Sequence, residues 1–166
     1  MPAQATIPAT VEGVDALLRF AVSHTVAVPN EDVWRVLGDF GREHHWTRTL
    51  SHCSRDTPDV RVGTVRTCRL PRPLMRRTEV REELTEFQPG QSLAYHLDGA
   101  AGPFASASSR WSTSPAPGRM TAVTVQGAFI PKNVAVPVVV WPVVKPMLRR
   151  LTMRVLHELD GYLRSR

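Results

Sequence analysis

The sequence predicts an α+β fold in which a curved antiparallel sheet wraps around one long C-terminal helix. Three observations carry this. Segments of alternating polarity follow one another between residues 19 and 129, separated by turn chemistry. One short helical pattern interrupts them, just after the first segment. The chain then ends on a 3.6-residue period.

The elements follow in order. Residues 1–18 begin with an Ala/Thr/Pro-rich stretch without a period and predict a tail, leaving 19–166 as one domain. From Arg19 to Val28, Phe20, Val22, His24, Val26 and Val28 share one face, as in a half-buried strand. Pro29-Asn30-Glu31-Asp32 offers Asn30 as an N-cap and two acids for the first helical turn. Val33, Leu37 and Phe40 then make a short helix that Gly38 or Gly41 can end. Leu50–Arg55 and Thr64–Leu70 read as paired strands around Thr57-Pro58-Asp59 and Gly63. Symmetric pairing sets Cys53 opposite Cys68, and two buried reduced thiols are preferred there over a disulfide. Pro71-Arg72-Pro73 is a break. Arg77–Phe87 and Ser92–Leu97 flank the turn Gln88-Pro89-Gly90, and Asp98–Pro103 is a link. Ala105–Thr113 and Thr121–Phe129 make a further hairpin. Leu148, Leu151, Thr152, Val155, Leu159 and Tyr162 share one face of a helix running from Pro142 or Lys145 to Arg164.

Composition narrows the function classes. Of 166 residues, 42% are hydrophobic and 22% charged, which excludes disordered and low-complexity classes. The net charge of +6 comes from 21 basic residues, of which only Lys132 and Lys145 are lysines. The arginines are dispersed and no recognition motif accompanies them, so nucleic acid is not expected as a partner. The N-terminus has no basic stretch followed by an apolar core, which predicts a cytoplasmic protein. The most apolar run, Val134 to Leu148, holds three prolines and Lys145 and is too short to span a bilayer. It is expected to be a buried entry to the last helix shaped by Pro137 and Pro142, in preference to a lid or a membrane-touching segment.

Several stretches resemble the helix-grip fold of the START-like superfamily, which includes polyketide cyclases and dehydratases, birch-pollen-allergen relatives and lipid-transfer domains. Val26 to Trp34 is similar to the family's strand-to-helix entry. Asp39-Phe40-Gly41 with Trp46 resembles the loop that follows, and Val62-Gly63-Thr64-Val65-Arg66 the start of the third strand. Glu82 to Phe87, Leu93-Ala94-Tyr95, Trp111 with Pro115, and Thr121 with Val123 resemble the later strands. The resemblance spans residues 19–164 and implies an internal cavity between the sheet and the last helix.

Within that fold, strand parity turns His24, Arg66, Glu82, Tyr95 and Trp111 toward the interior among apolar neighbours, the pattern of a small-molecule pocket. The resemblance implies cyclisation or dehydration of a polyketide-like carbonyl compound without a cofactor. His24 would serve as acid/base, Arg66 as oxyanion stabiliser, and Glu82 would tune His24 or pair with Arg66. Tyr95 and Trp111 would position the substrate, with Trp34 and Trp46 as further binding residues, and Glu43, His44, His45 and Trp46 at the cavity mouth. Each also has a structural alternative: His24 as a core residue, Arg66 and Glu82 as a self-neutralising pair, Tyr95 and Trp111 as packing. Arg81-Glu82-Glu83 stands where the aromatic-ring-forming branch carries an arginine pair, so that match does not carry over residue by residue, and other cyclisations, dehydrations or plain binding stay open. A non-catalytic carrier of a hydrophobic molecule is the alternative function, and docking to a larger complex through the arginine-rich surface a third. His44, His45, His52 and Cys53 lack tetrahedral ligand spacing, so no metal is expected. A monomer or homodimer without stable membrane insertion completes the expectation.

Overall fold

The computed structural model describes residues 17–70, 79–97 and 102–166. The tail expected over 1–18 falls outside these residues except for its last two, as do the break at Pro71-Arg72-Pro73 and most of the Asp98–Pro103 link. The described elements are β1 (Leu18–Val26), α1 (Asn30–Leu37), β2 (His52–Arg55), β3 (Val65–Arg69), β4 (Glu79–Gln88), β5 (Ser92–Leu97), β6 (Phe104–Ala116), β7 (Met120–Pro131) and α2 (Trp141–Arg164). A 3-10 turn covers Glu43–His45 and a π-helical turn covers Val136–Val140. The strands form one antiparallel sheet in the order β1-β7-β6-β5-β4-β3-β2. The result is the expected helix grip: a curved seven-stranded sheet closed by the long last helix.

The register follows from the alternation. Leu18, Phe20, Val22 and Val26 are buried on β1 while their odd-numbered neighbours are exposed. β4 carries a bulge between Leu84 and Glu86, which hands the inward face from Glu82 and Leu84 to Phe87, opposite Leu93. The core runs from β1 through β7 to α1 and α2, with Val26, Val33, Phe40, Leu84, Val123, Leu156 and Leu159 fully buried.

Four local expectations are corrected. Asn30 is the first residue of α1, not its cap; Pro29 takes that position, and the Asn30 side chain donates instead to the Gly90 carbonyl at 2.8 Å. α1 stops at Leu37, where Gly38 follows and donates to the Trp34 carbonyl, and Phe40 lies beyond it. Cys53 does pair with Cys68 in register, but the two are joined as a disulfide, not held as reduced thiols. Finally, the entry to α2 is buried on one side only. Val136 and Trp141 pack inward, Trp141 against Phe104 and Phe129, while Val134, Val138, Val139 and Val143 point to solvent. The π-helical turn and the helix behind it are two-faced, and β6 and β7 cover only one face.

Candidate functional site

A partly open cavity of about 300 Å³ lies between the concave face of the sheet and the middle of α2. This is near the lower end of the roughly 300–1,000 Å³ range of small-molecule sites. One wall is the helical face that the sequence shows: Leu148, Leu151, Thr152 and Val155. The facing wall is sheet, including Phe20 on β1, Leu93 on β5 and Val125, Gly127 and Phe129 on β7. Gly127 is required there: a Cβ at this position would come within 2.3 Å of the Phe20 ring. The third side is the loop after α1, with Trp46, Thr47, Thr49 and Leu50. That loop is tied to the helix, because Glu158 accepts from the Thr47 hydroxyl at 2.5 Å and from the Arg48 amide at 3.0 Å.

The walls are mostly apolar, with hydroxyls from Thr47, Thr49, Ser108, Ser109 and Thr152, and the ionisable groups gather in one place. There Arg66, 5% exposed, reaches in from β3. Its Nε donates to Glu82 at 2.6 Å and its Nη1 donates to Glu43. The guanidinium carbon also lies 4.3 Å from the centroids of both the Phe40 and the Tyr95 rings. Glu43 is aimed by the backbone of Gly41, whose N–H donates to both carboxylate oxygens at 3.0 and 3.1 Å. Gly41 has φ +95, and an added Cβ would meet Arg55 at 3.0 Å, so the turn needs glycine. Burial works against the Arg66 charge, but the Glu43 and Glu82 carboxylates outweigh it and hold the guanidinium above its ordinary value. The group therefore stays charged, in a Glu–Arg–Glu cluster with one net negative charge. Tyr95 stands beside it and accepts from Trp111 Nε1 at 3.3 Å. Burial raises the Tyr95 hydroxyl and outweighs the lowering effect of Arg66, so it remains a proton donor at neutral pH. Trp46 meets Trp111 edge-to-face at 6.4 Å.

Five of the seven predicted site residues thus come together: Arg66, Glu82, Tyr95, Trp111 and Trp46 all line the cavity. Two do not. His24 is on the inward face of β1, but it sits beyond the cavity under the C-terminal half of α2. Its ring stacks on His157 at 4.6 Å and its Nε2 is 3.6 Å from Asp160. Phe20 reaches the cavity, and so does Val125 of β7, which pairs with Val22; His24 lies two residues further along β1, roughly 7 Å at about 3.3 Å per strand residue, and does not line it. Trp34 is buried between α1 and the sheet, donates to Thr113 Oγ1 at 2.8 Å and packs edge-on to Phe87. The residue that sequence reasoning placed only at the mouth, Glu43, is the second partner of Arg66. No local pattern joins residues 23 positions apart, and only the Gly41 turn hints that Glu43 is held.

Beside this cluster, Glu43, Cys53 and Cys68 hold ligand atoms within 4.8 Å of one another. The two sulfurs are spent in the disulfide and the carboxylate is spent on Arg66, so the set offers no ready ligands for a metal. His44 stacks near His45 and His52 at 4.3 and 5.1 Å, and its Nδ1 accepts from the Cys53 amide at 3.1 Å. Burial, then the neighbouring His45 and His52, push the His44 imidazole below its ordinary value.

Comparison with known proteins agrees with this architecture. No curated protein sequence matches the chain. Among solved structures, that of Ara h 8.0201 superposes with a TM-score of 0.74 at 13% identity, covering 91% of this chain and all of that one. An uncharacterised protein from Bacillus thuringiensis superposes with a TM-score of 0.70 at 16% identity, covering 88% of this chain and 98% of its own. At such identities the likeness is one of fold. Residues 17–164 match the family described as polyketide cyclase/dehydrase and lipid transport, and the chain belongs to that family.

Proposed function

We propose that the protein binds an apolar small molecule whose polar end is met by the Glu43–Arg66–Glu82 cluster and Tyr95. The observation that carries this is the division of the cavity: mostly apolar side chains with a few neutral hydroxyls around it, and its ionisable groups gathered in one cluster. Such a site suits a hydrophobic molecule carrying a carbonyl or hydroxyl, for which Tyr95 supplies a donor and Glu82 an acceptor. Trp46 and Trp111 would report occupancy, because both line the cavity. Native mass spectrometry of the purified protein, followed by solvent extraction, should release an apolar compound. Thr152→Trp, which projects bulk from α2 into the cavity, should then abolish retention while leaving the thermal melt intact. Retention unchanged by Thr152→Trp would place the ligand elsewhere and sink the proposal.

A catalytic reading of the same end is favoured by one observation: Glu82, Arg66 and Tyr95 converge. In a cyclisation or dehydration, the Glu82 carboxylate would take a proton from carbon beside a carbonyl. Tyr95 would donate a hydrogen bond to the carbonyl oxygen, and Arg66 would offset the enolate charge. His24 has no part in this reading, since it does not line the cavity. Glu82→Gln distinguishes the two readings. Loss of turnover with ligand affinity held within about tenfold, roughly 1.4 kcal/mol, marks catalysis. Unchanged conversion of the extracted compound rules it out.

A further inference from the structure

The outer face of the π-helical turn and of α2 is an exposed apolar ridge. Val138, Val139 and Val143 are 76%, 67% and 71% exposed, and Met147 follows at 57%. Residues 139, 143 and 147 are four apart, so on a helix they stand in one row on one face. Scattered apolar residues on a surface need no explanation, but a continuous row does. Continuing the row by three or four residues brings Arg150 and Arg154, both exposed. Lys132, Lys145 and Arg149 flank it, and none of these five cations is ion-paired among the described residues. Between Asp98 and Glu158 the sequence contains no acidic residue at all.

We infer that this ridge docks the protein reversibly on an anionic lipid bilayer. The charge pattern selects the occupant. A second copy presenting the same face would set cation against cation, on a chain that already carries +6. An anionic bilayer offers acyl boundary to the valines and headgroup phosphate to the arginines and lysines, as for interfacial helices in general. The prolines do not prevent this. Pro142 and Pro146 both lie in the helical run and are both exposed, so their rings add to the outer face. Leu151 belongs both to the cavity lining and to the exposed surface, so the ridge runs along the rim of the cavity. Docking there would turn that rim toward the lipid. The inference concerns the outside of the helix and stands or falls separately from what the cavity binds.

The test is co-sedimentation with sucrose-loaded vesicles of phosphatidylcholine alone and of phosphatidylcholine mixed with phosphatidylglycerol. The protein should pellet with the mixed vesicles, far less with the neutral ones, and should be released as salt shortens the screening length. Val139→Asp with Val143→Asp, and separately Arg150→Glu with Arg154→Glu, should each weaken binding at least about tenfold without moving the thermal melt. All four side chains are exposed, so neither pair threatens folding. No pelleting with mixed vesicles at low salt overturns the inference, as does binding that both variant pairs leave unchanged. A wild-type dimer in sedimentation velocity that the valine pair dissociates, without vesicle binding, would assign the ridge to a second copy instead.

Discussion

Replacing Arg66 with methionine tests the logic of the cavity's polar end. Methionine keeps much of the volume and removes the charge. What remains is Glu43 and Glu82, each 14% exposed at the side chain, facing the space the guanidinium filled. Removing one partner of a buried ion pair typically costs about 3–5 kcal/mol, because the other charge is left uncompensated. Contacts of the cation with the Phe40 and Tyr95 rings are also lost, worth roughly 0.5–2 kcal/mol each when desolvated. The deficit of Arg66→Met against wild type should therefore reach about 3–5 kcal/mol at neutral pH. Urea unfolding followed by circular dichroism, extrapolated linearly, measures it. The triple variant Glu43→Gln, Arg66→Met, Glu82→Gln should recover most of the loss. A deficit below about 1 kcal/mol would refute the view of Arg66 as the cation that the two carboxylates require.

Other perturbations follow from single contacts. Reducing the Cys53–Cys68 bond, which closes a segment of sequence separation 15, should cost about 3 kcal/mol, and Cys53→Ser should match the reduced wild type in a urea titration. Gly127→Ala drives a methyl into the Phe20 ring and should destabilise by about 1–3 kcal/mol, while shrinking the cavity enough to weaken ligand retention. His44, held below its ordinary value, stays neutral in the fold while the unfolded chain takes up a proton near pH 6.5. Its stabilising contribution is thus complete above that value and is lost as pH falls toward the folded value, so His44→Asn should flatten the acid limb of a melting-temperature profile. Protonation of Nδ1 would also end its acceptance of the Cys53 amide, which works in the same direction.

Much of the fold was legible because its information is local. Period-two alternation located β1 to within a residue or two, and turn chemistry set β2 against β3 so closely that Cys53 opposes Cys68 as the symmetric hairpin requires. The 3.6-residue period named the α2 residues that form a wall of the cavity. The misses came from places where a distant group decides. Asn30 has the chemistry of a cap, yet the Gly90 carbonyl, 60 residues away, claims its side chain. Spacing alone does not tell a disulfide from two thiols at a matched register, because both need the same pairing. Composition alone does not tell which face of a Val/Pro-rich run is covered. The run from Val134 to Leu148 is apolar on both faces, and only the packing of Val136 and Trp141 reveals that the other side is bare.

The site shows the same division more sharply. Parity decides which face of a strand a residue occupies, and it turned Arg66, Glu82, Tyr95 and Trp111 inward correctly. Parity carries no information about distance along the strand, and that distance is what separates His24 from the cavity. The inward face of β1 serves two environments in succession. At Phe20 the helix stands away from the sheet and leaves a cavity; at His24 it lies close enough for His157 to stack and Asp160 to approach. The crossing of the long helix over the sheet sets the boundary between them. An inward polar residue is therefore a candidate for chemistry only where the helix leaves room. Glu82, whose strand pairs it with Leu97 and whose carboxylate meets Arg66 in the cavity wall, satisfies that condition, and His24 does not. The acid/base question in this protein accordingly moves from an imidazole to a carboxylate, and Glu82→Gln is the substitution on which it turns.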